Sequence, residues 1–168
     1  EIMSTVAIDQ VSRVRIADAS DVEELFELCK NLHGENFLFP MSDYKVLNML
    51  NNATRPEIEL RRGIIGCIGE PGRIEGAIFL EIDTLWYADT PALIELFSYV
   101  KPEFRRSTNC RDLIAWAKAM SDHFNLPLMI GVMSNQRTEA KVRRYRQSLG
   151  EPAGAFFFYK VTSGIGVH

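Results

Sequence analysis

Residues Val100 to Ile114, VKPEFRRSTNCRDLI, join an apolar run to an amphipathic one through a short basic turn. Arg105, Arg106 and Arg111 can each fork onto phosphate oxygens, and Ser107 and Thr108 add hydroxyl donors. The turn leads straight into a helix, whose first amides are unpaired and lie at the positive end of its dipole. These are the parts of an anion site. The same residues also allow a plainer alternative, a solvated turn with Thr108 or Asn109 as an ordinary helix cap.

The charge around this turn is lopsided. Residues 1–100 hold 8 basic and 17 acidic side chains, whereas residues 101–146 hold 10 basic and 4 acidic ones. The chain as a whole carries −3, which argues against a general nucleic-acid binder. The arginines of the basic segment also lack the interleaved aromatics of a single-strand platform. Three dispersed cysteines (Cys29, Cys67, Cys110) and three dispersed histidines form no disulfide framework and no metal-ligand spacing, so no metal is expected. No apolar run reaches the roughly 20 residues that span a bilayer, and no leader pattern opens the chain, so the expectation is a cytoplasmic protein without a membrane partner. Met3-Ser4-Thr5 resembles a natural start, which would make Glu1 and Ile2 extraneous.

The 168 residues suit one domain, residues 1–168, with a core of its own. Alternation in VSRVRI predicts a first strand, after which Ser20, with Glu23 as its capping-box partner, opens a helix that Gly34 stops. Ser42 opens a second helix, and the polar-aromatic GENFLFP between the two is placed to lie over a cleft. GIIGCIG and RIEGAIFLEID read as strands joined by a type II turn at Pro71-Gly72, and ALIELFSYV is the strand that feeds the basic turn. Leu113, Trp116 or Ala117, Met120 and Phe124 then recur at helical spacing, and LMIGVM is a short buried strand. A helix capped by Asn135 or Thr138 and ending at Gly150 precedes a last strand, AFFFYKV. The order is β-α-α-β-β-β-α-β-α-β, an α/β (α+β) chain with a mixed, mostly antiparallel sheet flanked by helices.

The turn resembles motif A of the GNAT superfamily of N-acetyltransferases, V-x-P-x-x-R-G-x-G-x-G/A-x-x-L. Val100, Pro102, Arg105 and Leu113 stand at matching spacing, and the order of elements over about residues 13 to 161 also suits that fold. It is similar in particular to small phage-like variants in which R-x-S replaces R-G-x-G. Arg106, Thr108 and Cys110 occupy the three glycine positions. In a loop that winds directly into a helix, φ stays negative at most positions, so Cβ atoms that point away from a ligand are compatible with the role.

The resemblance implies acetyl-CoA as cosubstrate, with Arg105 to Arg111 around its diphosphate: Arg105, Arg106, Ser107, Thr108, Asn109, Cys110 and Arg111. It implies Asn135 on the pantetheine arm, Tyr145 near the thioester sulfur, and a strand amide near Tyr99 or Val100 polarising the thioester oxygen. Tyr145 is then the candidate general acid for the departing thiolate, with a core-facing aromatic as the plainer alternative. Glu95, on the strand feeding the turn, is the candidate base; Glu81 and Asp83 are alternatives, and each could equally be a solvent-facing member of its strand. The acceptor would be a primary amine of a small molecule or protein. Dimers are common among relatives of this kind, so a homodimer stands beside a monomer as an open alternative. The competing function is a non-catalytic module that binds coenzyme A or a protein partner through the same fold.

Overall fold

The structure, a computed structural model, describes residues 13–36, 39–134 and 138–157. Strand β1 (Val14–Ile16) leads to helices α1 (Val22–Asn36) and α2 (Asp43–Thr54), then to β2 (Gly63–Ile68), β3 (Gly76–Thr84) and β4 (Pro91–Val100). Helix α3 (Asn109–Phe124), β5 (Leu128–Met129) and α4 (Thr138–Leu149) follow. The five strands form one sheet in the order β1-β2-β3-β4-β5. The first four are antiparallel and β4 and β5 are parallel, which makes the sheet mixed.

Each face of the sheet is buried by helices, so two cores form. Leu25, Leu28 and Leu32 of α1 and Leu50 of α2 pack on Ile65, Cys67, Phe79 and Phe97. Leu113, Trp116 and Met120 of α3 pack on Ile64, Ile68, Ile78 and Leu93. Strand β2 is covered on both sides and is buried throughout, which is why GIIGCI shows no alternation. Gly66 on that strand is needed, because a Cβ there would lie 2.7 Å from the Trp116 ring. The turn from Glu70 to Arg73 closes with an N–H to carbonyl bond of 2.9 Å and Gly72 at φ 81°, the geometry of the expected type II turn.

Three local expectations are corrected. Asp18, not Ser20, caps the entry to α1, and its capping-box partner is Asp21. Asp21 is fully buried and takes both terminal nitrogens of Arg15 at 2.7 Å, so this ion pair, absent from the Ser20-Glu23 reading, fixes the helix entry. Helix α1 runs through Gly34 to Asn36, because the buried Leu32 and Asn36 hold the last turn down. Of the expected last strand, residues 155–157 are exposed and outside any strand, and 158–161 lie outside the described residues.

Candidate functional site

The site begins with an irregularity in β4. Phe79 faces Phe97 and Leu80 faces Glu95, which leaves Leu96 as an extra residue, a bulge. The bulge resets the alternation, so Glu95 shares a face with Ser98 and Val100 instead of opposing them. Strand β5 pairs with β4 only at Leu93–Leu128 and Ile94–Met129. Beyond Ile94, β4 has no strand along its outer edge among the described residues. The N–H of Lys101 donates back to Glu75 at 2.9 Å. In an antiparallel ladder this alternation directs the Tyr99 amide toward β3 and turns the Ser98 and Val100 amides to the open edge. Of the two amides nominated from sequence, Val100 is therefore the one that faces the gap.

The gap is a cleft of about 460 Å³, lined on its polar side by Glu95, Ser98, Lys141 and Tyr145. Glu95 spans it, accepting the Gly131 N–H at 3.1 Å. Burial pushes the Glu95 carboxyl up to about 7, although the Gly131 N–H and the Lys141 charge oppose the rise. Tyr145 is on α4; burial and then the nearby Glu95 hold its phenol well above the ordinary tyrosine range, although the Ser98 side chain opposes the rise. Burial lowers the Lys141 ammonium. A carboxyl that is partly ionised near neutrality and a phenol that stays protonated therefore share one cavity, the pairing that a base and an acid need.

The basic turn runs from a short 3₁₀ turn, Pro102–Phe104, into α3. Among the described residues, the backbone N–H groups of Arg106, Thr108, Cys110 and Arg111 donate to no protein acceptor. The side chains divide sharply. Ser107 Oγ accepts the Asn109 N–H at 3.1 Å, Thr108 donates to Asp112 at 2.6 Å, and the buried Asn109 donates to Glu75 at 2.7 Å. Arg105 donates to the Val100 carbonyl at 3.0 Å and to Glu35 at 2.7 and 2.9 Å, and its guanidinium lies 5.3 Å from the centre of the Tyr99 ring. These side chains brace the turn. Arg106 and Arg111 remain exposed, the latter 3.9 Å from Asp112. Cys110 is half-buried against the α3 core.

Asn135 lies outside the described residues. Glu81 and Asp83 pair with Ile94 and Ala92, away from the cleft lining, so of the three carboxylates only Glu95 reaches it. Among the described residues no group of three or more His, Cys, Asp or Glu converges on one point. No helix is long and apolar enough to cross a membrane among the described residues. Sequence reasoning missed Glu35, Ser98 and the bulge at Leu96. Glu35 sits 70 positions from Arg105, and no residue type in IELFS marks a bulge.

No family model and no curated protein matches the sequence. Solved structures do match over most of its length. One, described as a possible acetyltransferase from Clostridium difficile 630, superposes with a TM-score of 0.65 at 16% identity over 89% of this chain and 97% of its own. A second is AAC(6')-Iy with the bisubstrate analog CoA-S-monomethyl-acetylneamine, at 0.63 and 20% over 88% and 95%. A third is the ribosomal-protein-alanine N-acetyltransferase of Brucella melitensis biovar Abortus 2308, at 0.61 and 14% over 87% and 94%. The chain has the GNAT acetyltransferase fold, as motif A indicated.

Proposed function

We propose that the chain is an acetyl-CoA-dependent N-acetyltransferase that moves the acetyl group to a primary amine by direct attack. The observation that carries this reading is the pairing of an open strand edge with a turn of free amides. Glu95, Ser98 and Tyr145 line the cleft at this edge, the strand alternation turns the Val100 N–H outward on the same side, and four unpaired N–H groups with the exposed Arg106 and Arg111 follow within eleven residues. The amides suit a diphosphate, and the exposed Arg106 and Arg111 add charge to it. The cleft gives the thioester and the acceptor amine one place to meet. Arginine, threonine and cysteine at the glycine positions are compatible with this, because the amides they carry stay unpaired.

The transfer then runs as follows. The amine nitrogen attacks the thioester carbonyl carbon, forming a C–N bond while the oxygen becomes an oxyanion held by the Val100 N–H. Glu95, directly or through water, takes the proton released by the nitrogen. The C–S bond breaks, and Tyr145 gives its proton to the coenzyme A thiolate. The products are an N-substituted acetamide and free coenzyme A. Holding both reactants along β4 supplies much of the acceleration.

Thermal shift with acetyl-CoA and thiol release with amines test the reading together. Stabilisation by acetyl-CoA with amine-dependent thiol release supports it. Stabilisation without release from any amine or peptide supports the non-catalytic binding module instead. No stabilisation at millimolar acetyl-CoA removes both.

A further inference from the structure

We infer that the acceptor is a small primary amine with a single positive charge on an apolar body, not a polycation; this rests on the transfer reading above. The wall of the cleft nearest α1 is built from Leu32, Leu96 and Phe97, with Asn36 as its polar member. Glu95 is the one carboxylate among the described lining residues, and Lys141 lines the same cavity. The two charges offset each other, so the cleft is close to neutral. Glu35, at the end of α1, has its carboxylate taken by Arg105 and by the Tyr99 hydroxyl at 2.6 Å.

One ammonium entering this cleft meets Glu95 and loses its proton there. A second or third ammonium would meet apolar side chains, neutral hydroxyls and a lysine, with no further carboxylate among the described lining residues. An unpaired charge moved from water into such surroundings is strongly penalised. An apolar body, in contrast, gains by covering Leu96 and Met133, which line the cleft and are 39% and 48% exposed. The chain's acidic first hundred residues do not alter this balance, since charges outside the cavity are screened by salt over about 8–10 Å.

The test is thiol release from acetyl-CoA with phenethylamine, hexylamine, neamine, spermidine and a peptide with an N-terminal methionine, beside a thermal shift with acetyl-CoA alone. The expected result is a kcat/KM for phenethylamine or hexylamine at least roughly tenfold above those for neamine and spermidine. Equal or faster turnover of either polycation overturns the inference, as does a peptide that outruns both monoamines. A thermal shift by acetyl-CoA with no turnover of either monoamine also overturns it and leaves the binding fold intact. Absence of any thermal shift instead defeats the transfer reading itself. Leu96→Asp adds a carboxylate at the bulge, where the side chain is 39% exposed and a charge can be tolerated. It should move the neamine-to-phenethylamine ratio upward by roughly fivefold or more. An unchanged ratio would show that the charge of this wall does not set the acceptor.

Discussion

Glu95 reaches across the opening between β4 and β5 and accepts the Gly131 N–H at 3.1 Å. One carboxylate thus spans the place where two parallel strands part, one residue beyond their last paired position. The parting frees the amides of β4, and the burial that accompanies it raises the carboxyl toward neutrality. A structural irregularity and a chemical one have the same cause. The bulge at Leu96 allows Glu95 to face the cavity that also holds Ser98 and Tyr145.

Glu95→Gln should lower kcat/KM by about 10²–10⁴. In the wild type, kcat/KM should rise with pH through about 7, as Glu95 ionises. The same group gives a stability signature of known sign. Its carboxyl is raised from 4.5 to about 7, so the folded chain binds more protons than the unfolded one in that window, and stability falls as pH rises through it. Glutamine does not titrate. The melting temperature of Glu95→Gln relative to wild type should therefore climb between pH 5 and pH 8; a constant difference would remove the buried carboxylate from the account.

Tyr145→Phe should lower kcat by roughly tenfold to a hundredfold and leave acetyl-CoA affinity within about threefold of wild type. The phenol ring lines the cavity, and phenylalanine keeps that surface. Only the proton donor and the contact with Ser98 are lost. Isothermal titration beside steady-state rates separates the two. If affinity and turnover fall by the same factor, the hydroxyl is holding the coenzyme and is not protonating its thiolate.

Glu35→Ala and Arg105→Ala should each destabilise the fold, and their effects should not add. Burial alone would raise the Glu35 carboxyl, but hydrogen bonds from Tyr99 and Arg105 hold it below the usual range. The pair is partly exposed, so a coupling of about 1 kcal/mol is the expectation from a double-mutant cycle. With the Tyr99 hydroxyl left unpartnered as well, Glu35→Ala should cost about 1–2 kcal/mol, or roughly 2–8 °C of melting temperature for a chain of this size. Additive effects would mean that Arg105 acts apart from Glu35, as a ligand for phosphate.

The fold was legible because periodicity and punctuation agree along the chain. Ser42 does cap α2, Pro71-Gly72 does turn β2 into β3, and Leu113, Trp116 and Met120 do bury one face of α3. The basic turn was placed between β4 and α3 for the same reason: its signals are contiguous in sequence. What stayed hidden depends on long-range pairing. Whether Arg105 points at a ligand or at Glu35 is decided by where α1 ends. Glu95 and Ser98 share a face only because a residue is inserted between them, and β-bulges without glycine leave no mark in composition. Entry to α1 was misread by two residues because Asp18 and Ser20 are both good caps, and the buried Arg15–Asp21 pair decides between them.

Arg106 and Arg111 supply the last prediction, which separates the members of the basic turn that touch ligand from those that brace it. Both guanidinium groups are exposed, whereas Asn109 is buried and Arg105 is held by Val100 and Glu35. A charge-assisted bond to phosphate is worth about 1.5–3 kcal/mol. Exposure to solvent places these two toward the low end, so Arg106→Gln and Arg111→Gln should each weaken acetyl-CoA binding by about fivefold to tenfold, with little change in melting temperature. The loss should shrink as salt is raised, because screening weakens the wild-type contacts first. Asn109→Ala should do the reverse, lowering the melting temperature through the lost Asn109–Glu75 bond while the loop amides keep most of their affinity. If neither arginine variant nor Asn109→Ala changed binding, the diphosphate would have to be sought elsewhere than at this turn.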